Sequence, residues 1–275
     1  MSSGATDLRV TLLGSGSPTP SLERCHPAAL VQWGESGAVL VDAGDGVVSQ
    51  LLESGTALGS VAHVALTHMH WDHILGYPGF VWGSWIGGRT ALHTWGPAGT
   101  VEMHEHLVES YYRDQAEWAI DIGFAPEGWH DMAVTDVEPG WSTELDGCVI
   151  SAGAVVHPPM EAVAFRFNYG GRSLVISGDT AACAELVAFS ESADLLVVDA
   201  CAATPPVSAS PARRALIERL HGFHASPQDC VDMAKRAHVG HVVLTHHLPD
   251  AQPMFEASGY DGRITVGDDL ATFVA

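Results

Sequence analysis

The segment ALTHMHWDHILG, residues 65–76, sets His68, His70, Asp72 and His73 within six consecutive positions, directly behind the apolar run VAHVALT. Side chains that prefer water or a metal thus stand where the pattern predicts the end of a buried strand. In extended backbone His68 and His70 lie two residues apart and project to the same side, the geometry for gripping one ion. A turn or helix starting near Asp72 swings Asp72 and His73 to a neighbouring position. There they can hold a second ion, with Asp72 close enough to touch a bound water. Two ions need ligands from other strand ends as well. His157 closes SAGAVVH, Asp179 closes SLVISGD and His246 closes HVVLTH, which completes a set of seven. Two divalent ions about 3.5–4 Å apart can share a water and lower its pKa from near 16 towards about 7. Histidine-rich ligation favours zinc, and manganese or iron also suits such a set.

These residues need elements to position them. The strand-like runs are LRVTLLG, AVLVDAG, VAHVALTH, CVISAGAVVH, AVAFRFNY, SLVISGD, DLLVVDA and HVVLTHH. Helix-like stretches lie between several of them: DGVVSQLLESG, TVEMHEHLVESYYRDQAEWAIDIG and SPQDCVDMAKRAH, the last with Ser226 as N-cap ahead of Pro227. Strands interleaved with helices predict a layered α/β fold with its chemistry in loops at strand ends. An internal echo supports two halves of similar plan meeting at a shared seam. VALTH ends at His68 and VVLTH at His246, while AVLVDAGD and SLVISGDT each run a strand into an aspartate.

The whole chain bounds the reading further. With 275 residues and 47% hydrophobic content it forms one domain over residues 1–275, with an aromatic-rich helical segment at about 77–130. No apolar stretch reaches the roughly 18 residues that a membrane span needs, and MSSGATDLRV lacks a basic-then-apolar signal pattern. Five cysteines without CxxC spacing predict reduced thiols and a cytoplasmic setting. Twelve Lys and Arg against thirty-three Asp and Glu give a formal charge of -21, a poor host for polyanions.

Taken together, the motifs resemble the metallo-β-lactamase superfamily, and within it the ribonuclease Z and arylsulfatase-like branch. LLGSGSPTP resembles that branch's opening hairpin, VLVDAGDG its second strand and turn, and THMHWDHILGYPGF its main metal motif. TWGPAG resembles the strand-turn after it, VVHPPMEAVAFRF the third-ligand motif, VISGDT the bridging-aspartate motif and HASPQDCVDMAKRAHVGHVVLTHHLP the closing segment. The resemblance covers nearly the whole chain and implies a single-domain, four-layer αββα sandwich, a homodimer and two zinc ions per chain. It implies that His68, His70 and His157 hold one ion and Asp72, His73 and His246 the other, with Asp179 bridging. His224, in FHAS, falls where the branch has a histidine contacting the scissile group. Asp199, in VVDAC, falls where ribonuclease Z carries a glutamate that orients this histidine. Asp72, His224 and Asp199 are then the catalytic residues.

For the substrate the sequence points away from RNA. Ribonuclease Z carries a long Gly/Pro-rich, basic arm after the third-ligand motif, whereas here only NYGGRS separates AFRF from LVISGD. Six of the eight tryptophans, Trp71, Trp82, Trp85, Trp95, Trp118 and Trp129, lie in or after the metal motif. Trp71, Trp82 and Trp85 are expected to line an apolar pocket, and Trp95 and Trp118 to pack helices on the sheet. The expected function is a dinuclear zinc hydrolase using a metal-bound hydroxide on a small, partly hydrophobic ester-like substrate. A carboxylic ester or lactone, a phosphodiester and an aryl sulfate all fit; nucleic acid is an unlikely partner. The alternatives are a ribonuclease Z-type transfer-RNA 3′ endonuclease and a non-hydrolytic metal-binding protein or cyclase on the same scaffold. Asp42 and Asp45 either support the histidines from behind or simply form a turn. His26 is among the ten remaining histidines, expected at the surface or in packing.

Overall fold

The computed structural model describes residues 7–275. Its first half runs β1 (Leu8–Gly14), β2 (Ala28–Trp33), β3 (Gly37–Val41), α1 (Val47–Glu53), β4 (His63–Ala65), α2 (Trp71–Ile74) and α3 (Tyr77–Ile86). There follow β5 (Leu92–Gly96), α4 (Thr100–His104), α5 (Tyr111–Asp121), α6 (Glu127–His130) and β6 (Met132–Asp136). The second half begins with β7 (Ser142–Leu145), β8 (Cys148–Ala154), β9 (Val163–Tyr169), β10 (Arg172–Ile176), α7 (Ala184–Phe189) and β11 (Leu195–Asp199). It ends with α8 (Pro211–Leu220), α9 (Pro227–Arg236), β12 (His241–Thr245), β13 (Arg263–Val266) and β14 (Thr272–Val274).

The strands form two seven-stranded sheets, ordered β14-β1-β2-β3-β4-β5-β6 and β13-β12-β11-β10-β9-β8-β7. Each half opens with antiparallel hairpins and closes with parallel strands. In the first sheet the change falls at β3, antiparallel to β2 and parallel to β4. In the second it falls at β10, antiparallel to β9 and parallel to β11. The internal echo therefore has a structural basis, because β3 and β10 hold equivalent places and each runs into an aspartate. It is imperfect: β4 lies beside β3, whereas β11 stands between β10 and β12. Parallel strands bring their carboxyl ends to one edge, and the chemistry-bearing residues of both sheets follow those ends.

Period-two alternation sorts each strand's side chains between two layers. Val10, Leu12, Val31 and Val41 face Ile150, Phe165, Phe167, Leu174 and Val197 across the inter-sheet core. The intervening residues Leu30, Leu40 and Val64 pack under Leu51, Tyr77, Phe80 and Val81 of the helices on one side. On the other side Val175, Leu196, Val198 and Val242 pack under Leu186, Met233 and Ala234. The layers are thus helix, sheet, sheet, helix. Strands covered on both faces read as continuous apolar runs, which is why LLVVD and HVVLT are so legible. Phe165 is fully buried between the sheets, and Phe165→Ala should cost about 3–5 kcal/mol of stability, read as a shifted denaturant midpoint.

Helix ends follow local chemistry. In α9 the Ser226 side chain accepts from the Asp229 backbone, Asp229 returns the bond, Pro227 fills the first turn, and Lys235 and Arg236 close the last. The long helix-like stretch after residue 99 is α4 and α5 joined by a π-helical turn at Glu105–Ser110. The segment from Tyr77 to His130 is not helical throughout, since β5 crosses it. Among the described residues no helix is long and apolar enough to cross a membrane.

Candidate metal centre

Four donor atoms converge where β4, β8 and β10 end. His68, His70, His157 and Asp179 each place one ligand atom within 4.8 Å of the others. His68 Nε2 lies 3.0 Å and His157 Nε2 3.1 Å from His70 Nδ1. Asp179 Oδ2 stands 3.6 Å from His68 Nε2 and 3.8 Å from His157 Nε2. A second grouping, Asp72, His73 and His246, lies beside the first. His246 Nε2 is 3.4 Å from His73 Nε2 and 3.3 Å from Asp72 Oδ2. Asp179 joins the two, its other oxygen Oδ1 lying 3.3 Å from both His73 Nε2 and His246 Nε2.

These spacings fit a metal. Ligands at 2.0–2.1 Å around a tetrahedral ion stand roughly 3.3–3.4 Å apart, close to the separations observed. Burial, the dominant influence, holds the His68 pKa well below its ordinary value and lowers those of His70 and His157. Their rings are therefore neutral, as metal ligation requires. Burial alone would raise Asp179, but His246 and His73 keep its pKa well below the usual carboxylate range.

Groups behind the histidines fix their rings. The Asp42 carboxylate lies 2.8 Å from His73 Nδ1 and accepts from the Thr67 backbone N–H and hydroxyl. His157 Nδ1 donates to the Phe223 carbonyl at 2.8 Å. Strain gathers here too, with Asp42 at φ 59° and His246 at φ 63°, left-handed conformations that non-glycine residues rarely adopt. Gly178 at φ 60° is required by close approach, since a Cβ there would meet Thr67 Cβ at 2.5 Å. That contact lets the end of β10 bring Asp179 to the histidines of the other sheet.

A third buried grouping, Asp199, Cys201, His224 and His246, is knit by hydrogen bonds. His224 Nδ1 donates to Asp199 Oδ2 at 2.8 Å, and the Asp199 carboxylate also accepts from the Cys201 and Thr180 backbones. Burial lowers the His224 pKa, but Asp199 outweighs it and lifts the value to about 9. Nδ1 is committed to Asp199, and Nε2 is left for other partners.

The structure brings His68, His70, Asp72, His73, His157, Asp179, His246, His224 and Asp199 into one cluster. The tryptophans divide. Trp71 is 48% exposed beside the cluster. Trp85 is 3% exposed and donates to the Ala125 carbonyl; the Trp82 and Trp85 rings each lie 5.2 Å from that of Trp129, tilted against it. They pack α3 and α6 onto the first sheet and lie outside the cluster. Asp42 supports the site whereas Asp45 is exposed in the turn. Sequence reasoning missed the Phe223 carbonyl and His26, which is 7% exposed with its ring 4.9 Å from that of Trp71.

Comparison with known proteins accords with this geometry. A family model described as "Beta-lactamase superfamily domain" matches residues 38–247. The ribonuclease Z of Mycobacterium sp. (strain KMS) is 32% identical over 280 residues, covering 96% of this chain and 94% of that protein. The metallo-beta-lactamase fold protein YhfI from Bacillus subtilis superposes with a TM-score of 0.71 at 18% identity, covering 98% of this chain and 100% of that one. Human tRNase Z, short form, superposes with a TM-score of 0.67 at 21% identity, covering 96% of this chain and 98% of that one.

These relatives overturn the expectation of a small-molecule substrate with nucleic acid an unlikely partner, since proteins alike along nearly the whole chain are ribonucleases. The hairpin between β9 and β10 is indeed short, turning at Gly170 and Gly171. The error lay in the charge argument. A formal charge summed over the whole surface does not describe the field at one site, least of all a site whose residues are suited to binding metal. The chain belongs to the metallo-β-lactamase superfamily, in the branch of its ribonuclease Z relatives, and is a metal-dependent hydrolase.

Proposed function

We propose that this protein is a ribonuclease of the ribonuclease Z type, hydrolysing a phosphodiester bond in transfer-RNA precursors at a centre that holds two zinc ions. The substrate class rests on the ribonuclease Z relatives that share 32% identity over 96% of the chain. One geometric observation carries the dinuclear reading. Asp179 turns Oδ2 towards His68 and His157 and Oδ1 towards His73 and His246, as a carboxylate shared between two ions would. His68, His70 and His157 would then hold one ion, and Asp72, His73 and His246 the other. The ions would supply an activated water at neutral pH and neutralise charge on the phosphate.

The remaining roles fall to the chain's own groups. Asp72 orients the attacking water and takes its proton. As the water oxygen bonds to phosphorus, the bond to the leaving ribose oxygen breaks, and His224 Nε2 delivers a proton to that oxygen. Asp199 holds the His224 ring in place and keeps it protonated. All five cysteines are free, which supports a reducing, cytoplasmic setting.

The test is cleavage of a structured precursor transfer RNA by zinc-loaded protein. Discrete cleavage near the 3′ end is expected, and an intact precursor beside a protein carrying its zinc would overturn the reading. Asp42→Ala should weaken zinc binding by about 10–100-fold, the usual cost of losing a partner behind a ligand. Competition with a chelator measures this, and unchanged affinity would remove Asp42 from the account.

A further inference from the structure

The centre opens to solvent at His70, the one member of its grouping that is not buried. Two residues with exposed aromatic side chains adjoin members of the site in the chain. Trp71 follows His70 directly and precedes the buried Asp72, yet its indole is 48% exposed. Phe223 precedes His224, gives its carbonyl to His157 Nδ1 at 2.8 Å, and leaves its ring 39% exposed. His157 in turn lies 3.1 Å from His70 Nδ1. Both rings are therefore anchored through backbone that the site already fixes, one on the Asp72 flank and one on the His157 and His224 flank.

Leaving two large apolar rings in water beside a polar centre forgoes hydrophobic stabilisation that burial would give. The Trp71 indole also has a buried packing partner. It meets the His26 ring at 4.9 Å and an interplanar angle of 86°. His26 is buried, and neither of its ring nitrogens has a hydrogen-bond partner among the described residues, so packing rather than polar bonding is what His26 gives to the indole. Leu75, one turn further on, is exposed as well and extends the apolar strip.

We propose that Trp71 and Phe223 are aromatic platforms on which the nucleobases flanking the scissile phosphate stack, His26 setting the plane of the indole. The inference rests on the ribonuclease reading and names how such an enzyme grips RNA with a short β9–β10 hairpin and few cations. Stacking suits this chain because every base has an apolar face, and a stacked base is worth roughly 5- to 150-fold in affinity.

The experiment is a binding cycle on the zinc-loaded protein, with short dye-labelled RNAs that end in a 3′-hydroxyl or begin with a 5′-phosphate. Each is made with its terminal base present or removed, and Kd is read by anisotropy for the wild type, Trp71→Leu, Trp71→Phe and Phe223→Leu. Base removal should weaken wild-type binding about 5- to 150-fold on at least one RNA. Trp71→Leu or Phe223→Leu should lose the same factor and become indifferent to base removal, while Trp71→Phe keeps most of it. Equal base dependence in wild type and both leucine variants would overturn the proposal, as would a wild type that binds neither RNA. Zinc lost from the leucine variants would make the rings supports of the centre and also overturn it. Base-dependent binding by a protein that cleaves no precursor would uphold the platforms and sink the ribonuclease reading instead.

Discussion

Asp179→Ala is expected to abolish hydrolysis and to release zinc from both halves of the centre. One carboxylate faces four of the six remaining proposed ligands, with Oδ2 towards His68 and His157 and Oδ1 towards His73 and His246. Its loss would remove a ligand from each proposed ion and a buried negative charge that would offset theirs. Loss of a partner behind a ligand costs about 10–100-fold in metal affinity, and loss of a shared ligand should exceed that for each ion. Metal analysis after gel filtration and cleavage of precursor RNA give the two readouts. A variant that keeps both ions and its turnover would show that the groupings are not joined through Asp179.

His224→Ala should lower turnover by about 10²–10⁴-fold, the usual worth of a general acid or a charge-stabilising donor. Zinc content should stay at the wild-type level. The separation of these effects follows from geometry, because the His224 ring is held by Asp199 at 2.8 Å and is not needed by either proposed ion. Loss of zinc with full activity per remaining ion would make His224 a ligand and contradict its role as proton donor.

The site was legible where its residues are dense or punctuate strands. His68, His70, Asp72 and His73 are neighbours in sequence, and His157, Asp179 and His246 each end an apolar run. Contacts that join distant segments left no such trace. The Phe223 carbonyl meets His157 across 66 positions, and His26 reaches Trp71 from the loop between β1 and β2. Even the support from Asp42 was only half legible, since VDAGDG reads equally well as a turn. Trp82 and Trp85 misled for a different reason. Three residues apart on α3, they share one helix face, and in the structure that face packs against Trp129 rather than opening on the metals. The fold was easier, because strands buried on both faces announce themselves as unbroken apolar runs. Substrate class was hardest. Net charge is a sum over the surface, and it says little about the field at one site.

Two ions, shared through Asp179, are expected to drive hydrolysis of RNA. Zinc added stepwise to chelator-treated protein, with cleavage of a precursor transfer RNA followed at each step, tests it directly. Activity should rise from nothing and level off at about two zinc ions per chain. Full activity at one ion would contradict the shared centre, and an uncut precursor at every loading would contradict the ribonuclease.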